Sequence, residues 1–141
     1  MNISTWLESL LTNKVLLLGL GGAAGTNVRY WLGRTLGEVA WAKGFPLGTF
    51  VINITGSFLL GIAAVLILER LPPSQHHWYL LIGTGFCGGY TTFSTFEWET
   101  YQLIRDGSWW MACANVLGSV VVGFVGVLAA IMLTHLLFPR P

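Results

Sequence analysis

The chain has 141 residues, of which 54% are hydrophobic and only 9% charged, and its formal net charge is +1. A soluble domain is roughly 25% charged, so there is too little charge here to coat a globule. With a mean hydropathy of +0.67 the chain suits a lipid bilayer, and without a basic block it has nothing to offer nucleic acid.

Four stretches reach the roughly 20 apolar residues that a helix needs to cross a core of about 30 Å. They are residues 14–36, 47–68, 78–104 and 109–138, the third interrupted by Gly88-Gly89. Ahead of them, residues 1–12 read as a short amphipathic surface segment with Trp6, Leu7, Leu10 and Leu11 on its apolar side. A cleaved signal peptide is the alternative for the first stretch. Against it, Arg29 and Arg34 follow on a continuing apolar pattern, with three more spans behind them. The connections are polar: GEVAWAKGFP at 37–46, ERLPPSQHH at 69–77 and RDGS at 105–108. Pro72-Pro73 cannot continue a helix. Tyr30, Trp31, Trp41, Trp78, Tyr79, Trp109 and Trp110 stand at span ends, the pattern of an interfacial aromatic belt. With no internal repeat, residues 1–141 form one four-helix transmembrane domain.

The positive charges are nearly balanced across such a topology. Lys14, Arg70 and Arg140 share one side, and Arg29, Arg34, Lys43 and Arg105 the other. The positive-inside rule then gives weak instructions. Either copies insert both ways up and pair antiparallel, or one charge near the first span decides the orientation. Cys87 and Cys113 both read as buried small hydrophobes. His76, His77 and His135 have no carboxylate or cysteine at ligand spacing and read as interfacial residues.

Several polar residues sit where lipid offers no partner. In the second span Thr49, Asn53 and Ser57 fall at i, i+4 and i+8 and so share one helix face. Gly48, Ile52 and Gly56 form a neighbouring stripe suited to close helix contact. Asn53 is either a helix–helix hydrogen bond or a donor lining a pore. In the third span a break at Gly88-Gly89 would leave free carbonyl oxygens on the half before it, suitable ligands for a hard cation. The half after it would begin near Thr91. Phe93 and Phe96 share a face there, with Ser94 and Thr95 supplying hydroxyls beside them. The rings either pack or turn their positive edges towards an anion. Glu97 and Glu99 follow a turn later and face a vestibule or an ion pair. Arg29 near the end of the first span either snorkels or draws anions in. Asn115 and Ser119, four apart, make a polar stripe in the fourth span. Together these suggest a path for a small anion. Four helices scarcely enclose a pore, whereas a dimer of eight does.

The motifs GFCGGYTTFSTF at 85–96, PLGTFVIN at 46–53 and GGAAGTNVRYWL at 21–32 closely resemble the CrcB/Fluc family of fluoride channels. The resemblance covers all four spans. It implies an all-α fold of four transmembrane helices assembled as an antiparallel dual-topology homodimer with two pores. It implies passive export of fluoride across the bacterial or archaeal cell membrane, which reduces fluoride toxicity. It also implies a structural sodium ion at the dimer interface, held by the backbone carbonyls of Gly88 and Thr91 from both copies. The family's pore residues match Asn53, Phe93, Phe96, Ser94 and Thr95, its first-span arginine matches Arg29 and its third-span glutamate matches Glu99. Ser119 matches the fourth-span serine, and Thr49 and Asn115 stand as vestibule or support residues. Fluoride is tightly hydrated, and hydroxyls, amides and ring edges replace its water stepwise. A fixed positive charge at the centre would trap it.

Two rivals differ in chemistry. A proton-coupled multidrug exporter needs a buried carboxylate, and the first span holds no acid between Lys14 and Leu36. A scaffolding subunit needs neither the Asn53 stripe nor a broken helix. No nucleophile–base pair or metal constellation points to an enzyme.

Overall fold

The computed structural model describes residues 12–38 and 44–139, and these are helical, with no strand among them. The surface segment read for residues 1–12 lies, apart from Thr12, outside the described residues, as do Trp41, Lys43 and Arg140. Helix α1 is Lys14–Gly37 and α2 is Leu47–Glu69, whose last turns from Ala64 take the wider π-helical winding. The third span is split in two. Helix α3 covers residues 77–90 and is π-wound over Leu80–Cys87, and α4 is Phe93–Arg105. Helix α5 is Trp109–Leu137.

Local chemistry explains the ends. Asn13 caps α1 by accepting from the Leu16 N–H at 3.1 Å. Pro72 and Pro73 close the second span, and Gly107, at φ +78, makes the turn between α4 and α5 that other residues resist.

Among the described residues two helices, Leu47–Glu69 and Trp109–Leu137, are long and apolar enough to cross a bilayer by themselves. Helix α1 has 24 residues, about 36 Å at 1.5 Å per residue, but carries Arg29 and Arg34 in its second half. Helix α4 has only 13 residues and must continue α3 to reach across. The molecule's outer face is apolar. On α5, Leu117, Val121, Phe124 and Met132 are all exposed, as a lipid-facing or partner-facing helix requires. Cys113 lies on that exposed surface, not in the core where its apolar context placed it, because α5 buries only one narrow stripe. Cys87 is buried as expected.

Small residues set the helix crossings. Gly21 and Gly25 of α1 lie against the α3 backbone between Leu81 and Tyr90, and Gly85 and Gly89 of α3 lie against Gly21 and Gly22. A Cβ at Gly25 would collide with the Phe86 carbonyl oxygen, and one at Gly85 would sit 3.1 Å from the Gly21 Cα. Two i, i+4 glycine pairs therefore let the backbones of α1 and α3 touch, the usual device where lipid offers no hydrophobic drive. Gly61 of α2 does the same against Ala130 and Val127 of α5.

The break in the third span is not at Gly88-Gly89. Gly88–Tyr90 is helical, and the chain leaves the helix at Thr91 (φ −80, ψ 160) and Thr92 (φ −151, ψ 121). Gly89 is there for contact: a Cβ on it would lie 2.5 Å from the Gly22 carbonyl oxygen. The β-branched threonines favour extended backbone, and Thr92 starts the next helix as its cap, accepting from the Thr95 N–H at 3.3 Å.

Candidate functional site

One polar cluster in the molecule is built around Thr91-Thr92. Asn53 on α2 holds the break from both sides. Its Nδ2 donates to the Thr92 carbonyl oxygen at 3.0 Å, and its Oδ1 accepts from the Thr92 N–H at 2.8 Å. A side-chain amide thus stands in for the strand or helix partner that the extended residue lacks. That is the condition for irregular backbone at membrane depth. One hydrogen of Nδ2 remains for another acceptor. Thr91 turns its own N–H and hydroxyl back to the Cys87 carbonyl, at 2.9 and 2.8 Å. Tyr90 is buried, with its hydroxyl 2.8 Å from that of Thr55.

The break releases the last carbonyls of α3, those of Gly88 and Thr91 among them. In a continuous helix the N–H of residue i+4 bonds the carbonyl of residue i. The N–H that would reach Gly88 belongs to Thr92 and goes to Asn53, and the one that would reach Thr91 belongs to Thr95 and goes to the Thr92 hydroxyl. Gly88 is exposed, and nothing lies within 4 Å of where its Cβ would be.

Two clefts flank the break, with Thr92 lining both. The first, of ≈ 530 Å³, is lined by Asn53, Ser57, Thr91, Phe93, Phe96 and Ser119 among others, and no lining side chain carries a formal charge. The Phe93 and Phe96 rings are 5.7 Å apart and tilted by 40°. Phe96 is 8% exposed and Phe93 70%, so Phe93 lies on the outer surface of the single chain. The second cleft, of ≈ 550 Å³, is lined by Arg29, Arg34, Thr49, Thr95 and Glu99. Two guanidinium groups and one carboxylate face it, and Arg34 is also paired with Glu38, at 3.8 Å. Thr49 lies beside Glu99, whose Oε2 is buried without a hydrogen-bond partner among the described residues.

The structure therefore brings Asn53, Gly88, Thr91, Phe93, Phe96 and Ser119 to one cleft, and Arg29, Thr49, Thr95 and Glu99 to the other. Ser94 is exposed and lines neither. Asn115 is fully buried between α4 and α5, with Nδ2 donating to the Thr100 hydroxyl oxygen at 2.9 Å. Ser57 lines the first cleft but its hydroxyl donates to the Asn53 carbonyl at 2.7 Å. Sequence reasoning missed Thr92 and Thr100 as organising residues. Thr100 was visible as the next position on the Phe93–Phe96 face. Thr92 depends on Asn53, 39 residues away, and had no local signal. Among the described residues no group of three His, Cys, Asp or Glu gathers to hold a metal. His76 and His77 engage loop carbonyls, and His135 meets Glu69 at 3.0 Å.

The family model described as "CrcB-like protein, Camphor Resistance (CrcB)" matches residues 16–131. A protein of Solibacter usitatus named "Fluoride-specific ion channel FluC" is 49% identical over 114 residues, 81% of this chain and 92% of that protein. Proteins of the same name from Coxiella burnetii and Pyrococcus horikoshii are 46% and 41% identical, over 79% and 77% of this chain and 90% and 85% of theirs. Both the broken third span and the clefts lie within the matched residues, and the chain belongs to the CrcB family.

Proposed function

We propose that this protein is a fluoride-selective channel, not an enzyme, that lets fluoride leave the cell passively through a multi-pass fold in the cell membrane. The observation that carries this reading is the uncharged cleft beside the clamped break. It offers amide and hydroxyl groups and two phenyl rings to an ion, and no charged side chain to trap it. Such donors replace the water of a small anion while binding weakly enough for release. The names of the relatives point to the same ion. Arg29, on the second cleft, would draw anions towards its mouth. A proton-coupled exporter finds no carboxylate in the first cleft.

The working unit in this reading is an antiparallel, dual-topology homodimer with two pores. The exposure of Phe93, a pore residue here, supports a second copy covering it. A sodium ion at the interface fits the donors present. Gly88 and Thr91 offer backbone oxygens freed from helical bonds, the hard ligands that a hard cation takes. Two carbonyls per chain are too few for a full shell, so a second copy would supply the other two. The ion's chemistry is to offset the negative helix end at the break.

The test is protection. Cells stripped of their own fluoride defence and expressing this chain should grow in fluoride that stops the parent strain, and cells expressing Phe96→Ile at equal level should not. Equal growth of both, or of neither, would count against the proposal.

A further inference from the structure

Six hydroxyls in this chain share a habit, though Thr26 reaches across to the Gly89 carbonyl instead, at 3.4 Å. Thr35, Thr55, Ser57, Thr91, Thr100 and Thr134 each donate to the carbonyl four residues before, at 2.7 to 3.0 Å. Such back-bonding satisfies the proton and points it along the helix. Ser119 departs from it. Its hydroxyl reaches instead to the side-chain Oδ1 of Asn115, at 3.5 Å, the far limit of a hydrogen bond. Ser119 also lines the uncharged cleft.

The reason lies in a chain of donors across the α4–α5 contact. Thr100 has one hydroxyl proton, and it is committed to the Phe96 carbonyl at 2.8 Å. Its oxygen therefore accepts from Asn115 Nδ2, at 2.9 Å. That bond fixes the amide so that Oδ1 faces Ser119. Asn115 is 0% exposed, so no solvent competes for it.

We propose that Asn115 is a positioning residue that keeps the Ser119 hydroxyl off its own helix and free to donate to an anion in the cleft. Ser119 is the group that touches the ion, and Thr100 orients the amide that positions it. With the cleft empty, Oδ1 holds the proton weakly, and an arriving anion takes it at small cost. Without Oδ1, the hydroxyl falls back on the Asn115 backbone carbonyl like its six counterparts. This inference rests on the fluoride reading above.

The experiment is a double-mutant cycle on fluoride efflux from liposomes, with wild type, Asn115→Leu, Ser119→Ala and the double variant. Each single change should slow efflux about tenfold, what one hydrogen bond to a charged group is worth. The double variant should be no slower than either. Losses that multiply, or an Asn115→Leu protein at wild-type rate, would overturn the proposal. Should Asn115→Leu fail to fold, Thr100→Val should slow efflux and Thr100→Ser restore it; equal rates in that pair would overturn it too. A second reading needs no flux. In Ser119→Cys the S–H stretching band, with the Cys87 and Cys113 bands subtracted, should move to lower frequency when Asn115→Leu is added. An unmoved band overturns the positioning. A moved band in a protein whose parent passes no fluoride supports the positioning and sinks the fluoride reading instead.

Discussion

Removing the Asn53 amide should open the break before it does anything else. In Asn53→Ala the Thr92 N–H and carbonyl lose their partners at 2.8 and 3.0 Å, and Thr92 is only 8% exposed. An interhelical hydrogen bond in a membrane averages about 0.6 kcal/mol, whereas an orphaned buried group costs about 1 to 3 kcal/mol. Two bonds then set the loss between about 1 and about 6 kcal/mol. The Thr92 amide, which exchanges through local opening, should exchange at least several-fold faster and up to roughly ten-thousandfold faster. Amide exchange of the purified protein in detergent, resolved to Thr92, measures this. Amides of α5 away from the break, such as those of Val121 and Phe124, act as the internal control. Asn53→Asp keeps the acceptor for the Thr92 N–H but sets a carboxylate oxygen against the Thr92 carbonyl. It also puts a negative charge in the anion path, and should abolish flux. Wild-type exchange at Thr92 in Asn53→Ala would refute the clamp.

Phe93→Ile and Phe96→Ile should each cut fluoride flux severely while the elution volume on size-exclusion chromatography stays that of the wild type; normal flux in both would remove the rings from the path. Gly25→Ala meets the Phe86 carbonyl oxygen, a backbone atom that cannot swing aside. Overpacking of this kind costs about 1 to 3 kcal/mol, and an unchanged denaturation midpoint would contradict the close α1–α3 crossing. Exchanging sodium for a bulky organic cation, with dialysis long enough to release a trapped ion, should weaken assembly or flux if Gly88 and Thr91 hold sodium. Indifference would argue against that site.

The span boundaries were legible because hydropathy, prolines and belt aromatics act locally. Leu47 and Trp109 begin helices where the pattern placed them. The break was legible only to within a few residues. Gly88-Gly89 looked like the breaker because glycine is a poor helix former. Yet tertiary contact overrides propensity: Gly89 stays helical so that Gly22 can approach, and the backbone turns at two threonines held from α2. The paired glycines of GGAAG and GFCGG were each visible, but which helix each faced was not, since pairing is a long-range fact. The same holds for Asn115. Its spacing to Ser119 was plain, whereas its burial and its bond to Thr100 arise from the packing of α4 on α5. Cys113 misled because an apolar neighbourhood in sequence does not separate the core of a membrane protein from its outer face.

The most direct measurement is efflux from liposomes holding this purified protein alone, with fluoride followed by electrode and chloride followed in parallel vesicles. Fast fluoride loss with little chloride loss, driven by the fluoride gradient with no need for a proton gradient, is the predicted result. Folded protein that passes neither ion, or passes both alike, would contradict the claim that this cleft is a fluoride path.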